Sequence, residues 1–170
     1  MRRVLLAAIL AASCIAARAD DSATLKNWFN DPFFQVRAGM AACPTPLGPL
    51  LTEAEMKSES HSRIERGTSC WMAGTCKEPN AYRYDAQIGR AMEARFRDAP
   101  GFRDASLWVT VKRRIVWIEG CAGKDANVQA MEKELERIAL SVPDVERAIV
   151  NLRAGTDGKP PYAVAPQESR

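Results

Sequence analysis

The sequence predicts an α+β protein. An αββαβ two-layer sandwich, with a three-stranded sheet and two helices on one face, is preceded by a disulfide-bearing, mainly helical or irregular N-terminal arm. Three observations carry this. Leu107 to Gly120 alternates β-branched and aromatic residues at period two around Arg113-Arg114, the pattern of a hairpin. Apolar stripes at helical spacing flank it, Ile88, Met92 and Phe96 before and Val128, Met131, Leu135 and Ile138 after. A further alternating run closes the set at Val145 to Leu152.

In chain order, residues 1–19 have the layout of an export signal. Met1-Arg2-Arg3 is a basic start, Val4 to Ala17 is apolar but short for a membrane span, and Ala17-Arg18-Ala19 is a small-x-small site with cleavage after Ala19. Cys14 offers a rival reading as a lipidation site; alanine rather than leucine in the third place before it weighs against this. Both readings export the protein, to the periplasm or beyond. No second apolar run is long enough for a transmembrane helix.

Residues 20–83 form the arm. Asp21 to Phe29 reads as a short helix capped by Ser22, and Asp31-Pro32 as the start of a second. Phe33, Phe34 and Val36 need a partner surface, supplied by the rest of the chain or by a docking partner. Three prolines between Cys43 and Pro49 break regular structure. Thr52 and Glu55 form a capping box, Leu51 and Met56 a hydrophobic staple, and Gly67 a stop, which predicts a helix from Glu53 to Arg66.

Residues 84–153 carry the sandwich. Asp85 is read as the cap of the helix that ends at Ala99-Pro100-Gly101. With a two-residue turn at Arg113-Arg114, Val111 faces Val116, Val109 faces Ile118 and Thr110 faces Trp117, with Trp108 diagonal to Trp117. One face is then aliphatic and the other bears two tryptophans. Gly120 to Gly123 reads as a loop, Asp125 as the next helix cap and Pro143 as its stop. On the last strand Ala148, Val150 and Leu152 share one face and Ile149 and Asn151 the other. Residues 154–170, rich in Gly, Pro and polar residues, read as a disordered tail.

Beyond the signal four cysteines remain, an even number that favours disulfides in an exported protein. Three pairings are possible; Cys70 with Cys76 is preferred for its short loop, leaving Cys43 with Cys121. The chain has 24 Lys and Arg against 21 Asp and Glu, and loss of Arg2, Arg3 and Arg18 leaves 21 against 21. A neutral mature chain does not support nucleic acid as a partner, so any electrostatic attraction is local. His61, the single histidine, reads as a surface or capping residue; the neighbouring cysteines lack paired zinc-site spacing. No haem signature, phosphate loop or serine elbow occurs, so no catalytic residue, metal or cofactor is expected.

Residues 84–153 resemble the BON domain of bacterial envelope and osmotically inducible proteins. The matching elements are Val109-x-Val111, Val116-x-Ile118-x-Gly120, the amphipathic helix to Ala139, and the strand from Val145 through Leu152. The chain departs from that family's pattern at Arg113-Arg114, where Asp-Gly is usual, and at Asp144, where Gly is usual. The resemblance implies a non-enzymatic module that binds phospholipid or another envelope component and supports the envelope under stress. The residues expected to do so are Lys112, Arg113 and Arg114 at the hairpin tip, facing anionic headgroups, with Trp108 and Trp117. A competing reading makes Trp108, Trp117 and Ile149 the floor for the arm, with Cys121 fastening it. A scaffolding role through Trp28, Phe33 and Phe34 or the open sheet face is the alternative function.

Overall fold

A computed structural model describes residues 24–99 and 101–167. The expected export signal and Cys14 lie outside them. The elements are β1 (Phe33–Ala38), α1 (Glu53–Glu65), α2 (Thr68–Met72), a 3-10 turn (Ala81–Tyr84), α3 (Asp85–Asp98), β2 (Ser106–Lys112), β3 (Ile115–Ala122), α4 (Val128–Leu140) and β4 (Arg147–Ala154). The α+β class holds. The sheet, however, has four strands in the order β1-β2-β3-β4, with β1, β2 and β3 antiparallel and β4 parallel to β3.

The extra strand comes from the arm. Asp31-Pro32 starts no helix. Phe33 and Phe34 sit on opposite faces, Phe33 against the Cys43–Cys121 bond and Phe34 against the main core, and Pro32 O accepts from Val111 N at 3.0 Å. Aromatic and β-branched residues suit such a two-faced strand better than a helix. The expected helix over residues 21–29 is likewise absent over its described part. Asn27 ties itself to Asp31 through two side-chain bonds, Asn30 takes φ +54°, and Lys26 bridges to Leu51 instead.

The hairpin register is as expected: Val111 faces Val116, Val109 faces Ile118, and Thr110 faces Trp117. The turn is indeed two residues long, and Arg113 and Arg114 take φ +54° and +66°. That conformation matches strand twist and usually falls to Asn or Gly, so side-chain contacts must hold it. Strand β3 continues through Gly120 to Ala122, where a loop was expected. A Cβ on Gly120 would lie 1.9 Å from Ser106 O, so only glycine lets β2 approach there.

Register sorts the faces. Leu107, Val109, Val111, Val116, Ile118, Ala148 and Leu152 meet Ile88, Met92 and Phe96 of α3 and Leu135, Ile138 and Ala139 of α4 in one core. The cap of α4 is Asn127 rather than Asp125, its side chain accepting from Ala130 N at 3.1 Å. Long side chains tie the outer strands to the helices: Arg37 of β1 donates to Phe96 O and Ala99 O at the end of α3, and Glu132 of α4 accepts from Leu152 N of β4. The capping box of α1 forms as read, with Gly67 at φ +95° beyond its end.

Both preferred disulfides are present, Cys43–Cys121 and Cys70–Cys76. Residues 154–167 are not a free tail. Tyr162 is buried, Leu47 N donates to Ala163 O, and Ala165 N donates to Thr45 O. The proline-rich segment cannot complete a ladder by itself, and this segment supplies its partners.

Candidate functional site

The hairpin tip is drawn inward. Lys112 pairs with Glu59 of α1 at 2.6 Å. Arg113 Nη1 donates to Ser62 Oγ at 3.0 Å. Arg114 Nε donates to Asp144 O at 2.8 Å, and its guanidinium lies 4.7 Å from the centre of the Tyr84 ring. All three side chains are half-buried. The expectation of a protruding basic tip is thus corrected. Helix α1 lies beside the tip, and its polar middle supplies Glu59 and Ser62.

The two tryptophans separate. Trp108 is buried against Cys43, Cys121, Phe33 and Met40, which is the arm-floor arrangement. Trp117 is half-buried and lines a shallow pocket of about 150 Å³ with Gly48, Thr110, Lys112 and Glu119. Burial raises the Glu119 carboxyl above its usual range, against the hydrogen bond from Asn151 beside it.

Beneath the tip lies a charge cluster that sequence reading missed. Arg63, buried in α1, donates from Nη1 to Asp31 Oδ2 at 3.1 Å and from Nη2 to Asp31 Oδ1, and lies 4.0 Å from Asp85 Oδ2. Its guanidinium stacks 4.4 Å from Phe29 and 5.1 Å from Tyr82. Asp85 was expected as a helix cap. It is instead the first residue of α3, and its carboxylate accepts from Arg113 N at 2.7 Å and Arg114 N at 2.8 Å. These amides hold the positive-φ turn, so Asp85 joins α3 to the tip. One arginine in a polar helix carries no local mark of burial.

Burial pushes the Asp85 carboxyl up to about 6, opposed by the two amide bonds and Arg63. The folded chain therefore binds a proton that the unfolded chain releases near pH 4. This group's contribution falls as pH rises from about 4 to about 6 and is flat above. Wild-type stability is expected to drop relative to Asp85→Asn by on the order of 2–3 kcal/mol across that window. Urea unfolding of both proteins between pH 4 and 7 measures this; parallel curves would refute it.

The exposed apolar surface lies elsewhere. Trp71 and Met72 are 47% and 81% exposed on the turn closed by Cys70–Cys76, and Ile64 near the end of α1 is 62% exposed. His61 is exposed and pairs with Glu65 at 3.0 Å. Among the described residues no group of His, Cys, Asp and Glu could hold a metal ion, and no helix is long and apolar enough to cross a membrane.

Geometry thus defines an α+β protein with a mixed four-stranded sheet, two intramolecular disulfides that suit an oxidising compartment, and an exposed Trp71–Met72 pair beside the Cys70–Cys76 bond. Comparison with protein-family models, curated proteins and solved structures finds no match to the chain.

Proposed function

We propose that this is an exported, non-enzymatic binding module of the bacterial envelope, BON-like over residues 84–153, which engages a partner protein rather than an anionic phospholipid surface. Export is supported by the layout of residues 1–19 and by the two disulfides. The BON-like reading is supported by the order α3-β2-β3-α4-β4. Its two departures, Arg113-Arg114 and Asp144 (φ +69°), fall at positive-φ positions, which glycine serves at low cost.

The choice of a protein over lipid rests on one observation: Lys112, Arg113 and Arg114 already have partners within the chain. A cation near an anionic bilayer gains about 1 kcal/mol, comparable to the charged hydrogen bonds it would give up. The Cys70–Cys76 turn remains available. Tryptophan is a rigid contact residue, methionine adapts to its partner, and the disulfide limits the entropy lost on docking. A module of this kind would support envelope integrity by tethering.

Liposome flotation and photo-cross-linking test the reading together. The oxidised protein is expected not to float with anionic or neutral vesicles at low or near-physiological salt. A photo-cross-linker at position 72 is expected to trap a discrete envelope protein, and Trp71→Ala to abolish that product. Salt-sensitive flotation with anionic vesicles, lost in a Lys112→Ala/Arg113→Ala/Arg114→Ala variant, would return the tip to a lipid role.

A further inference from the structure

We infer that Cys70–Cys76 is a reversible thiol–disulfide exchange site for dithiols, whereas Cys43–Cys121 is the permanent bond. The two bonds sit in opposite surroundings. Cys121 is 0% exposed and Cys43 7%, and the buried Tyr162 lays its hydroxyl 3.6 Å from Cys43 Sγ and 3.8 Å from Cys121 Sγ. That hydroxyl donates to Pro44 O at 3.0 Å, which seats the C-terminal segment over the bond. An attacking thiolate must reach a sulfur, and this one is shut off. Cys70 and Cys76 are half-buried, and every residue from Trp71 to Thr75 between them is exposed.

The short loop is also polarised. Arg114 Nη1 lies 3.9 Å from Cys76 Sγ, with the guanidinium held in place by Asp144 O and the Tyr84 ring. A cation beside a sulfur favours its thiolate and so makes it the better leaving group. Cys70 Sγ instead lies 3.0 Å from Gly67 O, which can accept an S–H but opposes a negative charge. The external thiolate therefore attacks Cys70 Sγ; the Cys70–Cys76 bond breaks and Cys76 leaves as a thiolate facing Arg114. The second thiol of the dithiol then loses its proton and attacks its own sulfur in the mixed disulfide. That releases Cys70, which takes up a proton and donates to Gly67 O. Two electrons pass from the dithiol, which becomes a disulfide, to the protein. The reverse sequence restores the bond. Arg114 acts here directly, as the cation beside the leaving Cys76 thiolate. The exchange stands independently of what the turn binds, since it is read from thiols.

Dithiothreitol titration of the folded, oxidised protein tests this, with alkylation of released thiols and mass-spectrometric assignment of each cysteine. Cys70 and Cys76 are expected to label at reductant concentrations that leave Cys43 and Cys121 unlabelled. In the reduced turn, Cys76 is expected to alkylate about tenfold faster than Cys70 near neutral pH. Arg114→Gln should remove that difference, and Arg114→Lys should restore most of it. Simultaneous opening of both bonds, or earlier opening of Cys43–Cys121, would overturn the exchange site. Equal alkylation of Cys70 and Cys76 in the wild type would overturn the polarity assigned to Arg114.

Discussion

Arg63→Met is expected to destabilise the protein by about 3–5 kcal/mol, the usual cost of stranding buried charge. Arg63 holds Asp31 at the mouth of β1, faces Asp85 at the start of α3, and stacks between Phe29 and Tyr82. Methionine keeps much of the apolar stem but leaves two buried carboxylates with no cation between them. Their repulsion then loosens Asp85, whose oxygens hold the amides of Arg113 and Arg114. The hairpin turn would lose the contact that maintains its positive φ angles. Equilibrium urea unfolding near pH 7 measures the loss. Adding Asp31→Asn to the Arg63→Met protein should recover part of it, because the neutral amide removes one stranded charge. A loss under about 1 kcal/mol, or no recovery in the double variant, would show that the cluster does not join these segments.

The second large effect is removal of Cys43–Cys121. The bond spans 78 residues, and the loop-entropy model assigns such a closure about 4.5 kcal/mol. It also welds the proline-rich arm to the end of β3 and provides the surface on which Trp108, Phe33 and Met40 pack. A Cys43→Ala/Cys121→Ala protein should therefore lose about twice as much stability as a Cys70→Ala/Cys76→Ala protein. The shorter bond spans 6 residues and is worth about 2 kcal/mol on the same model. Chemical denaturation of the two variants side by side gives the ratio. Equal losses would remove loop closure as the explanation and leave packing strain in its place.

Much of the αββαβ unit was legible because its signals are local. The alternation of Val109, Val111, Val116 and Ile118 chooses a face by itself, and one slip would expose all four. Thr52 and Glu55 specify a helix start within one turn. Near misses also have particular causes. Asp85 has the chemistry of a cap, but its carboxylate was claimed by two amides 28 and 29 residues away. Asp125 lost the start of α4 to Asn127, which stands nearer the first helical residue.

The candidate site was less legible. Lys112, Arg113 and Arg114 read as a free basic tip because nothing in residues 107–120 announces Glu59, Ser62 and Asp144 as partners. Trp71 and Met72 lie inside the short loop between Cys70 and Cys76, and only their exposure marks them out.

By itself, then, the sequence determined the helices and strands with strong periodicity, the hairpin register, the capping box of α1 and the even set of cysteines that becomes two disulfides. The tertiary structure alone decided that Phe33–Ala38 pairs with β2, that Arg63 is buried, that the tip cations turn inward, and that Tyr162 closes over Cys43–Cys121. The physical reason is range. Periodicity and caps act within a few residues, whereas burial of a polar or ambiguous segment depends on which surfaces distant parts of the chain leave uncovered.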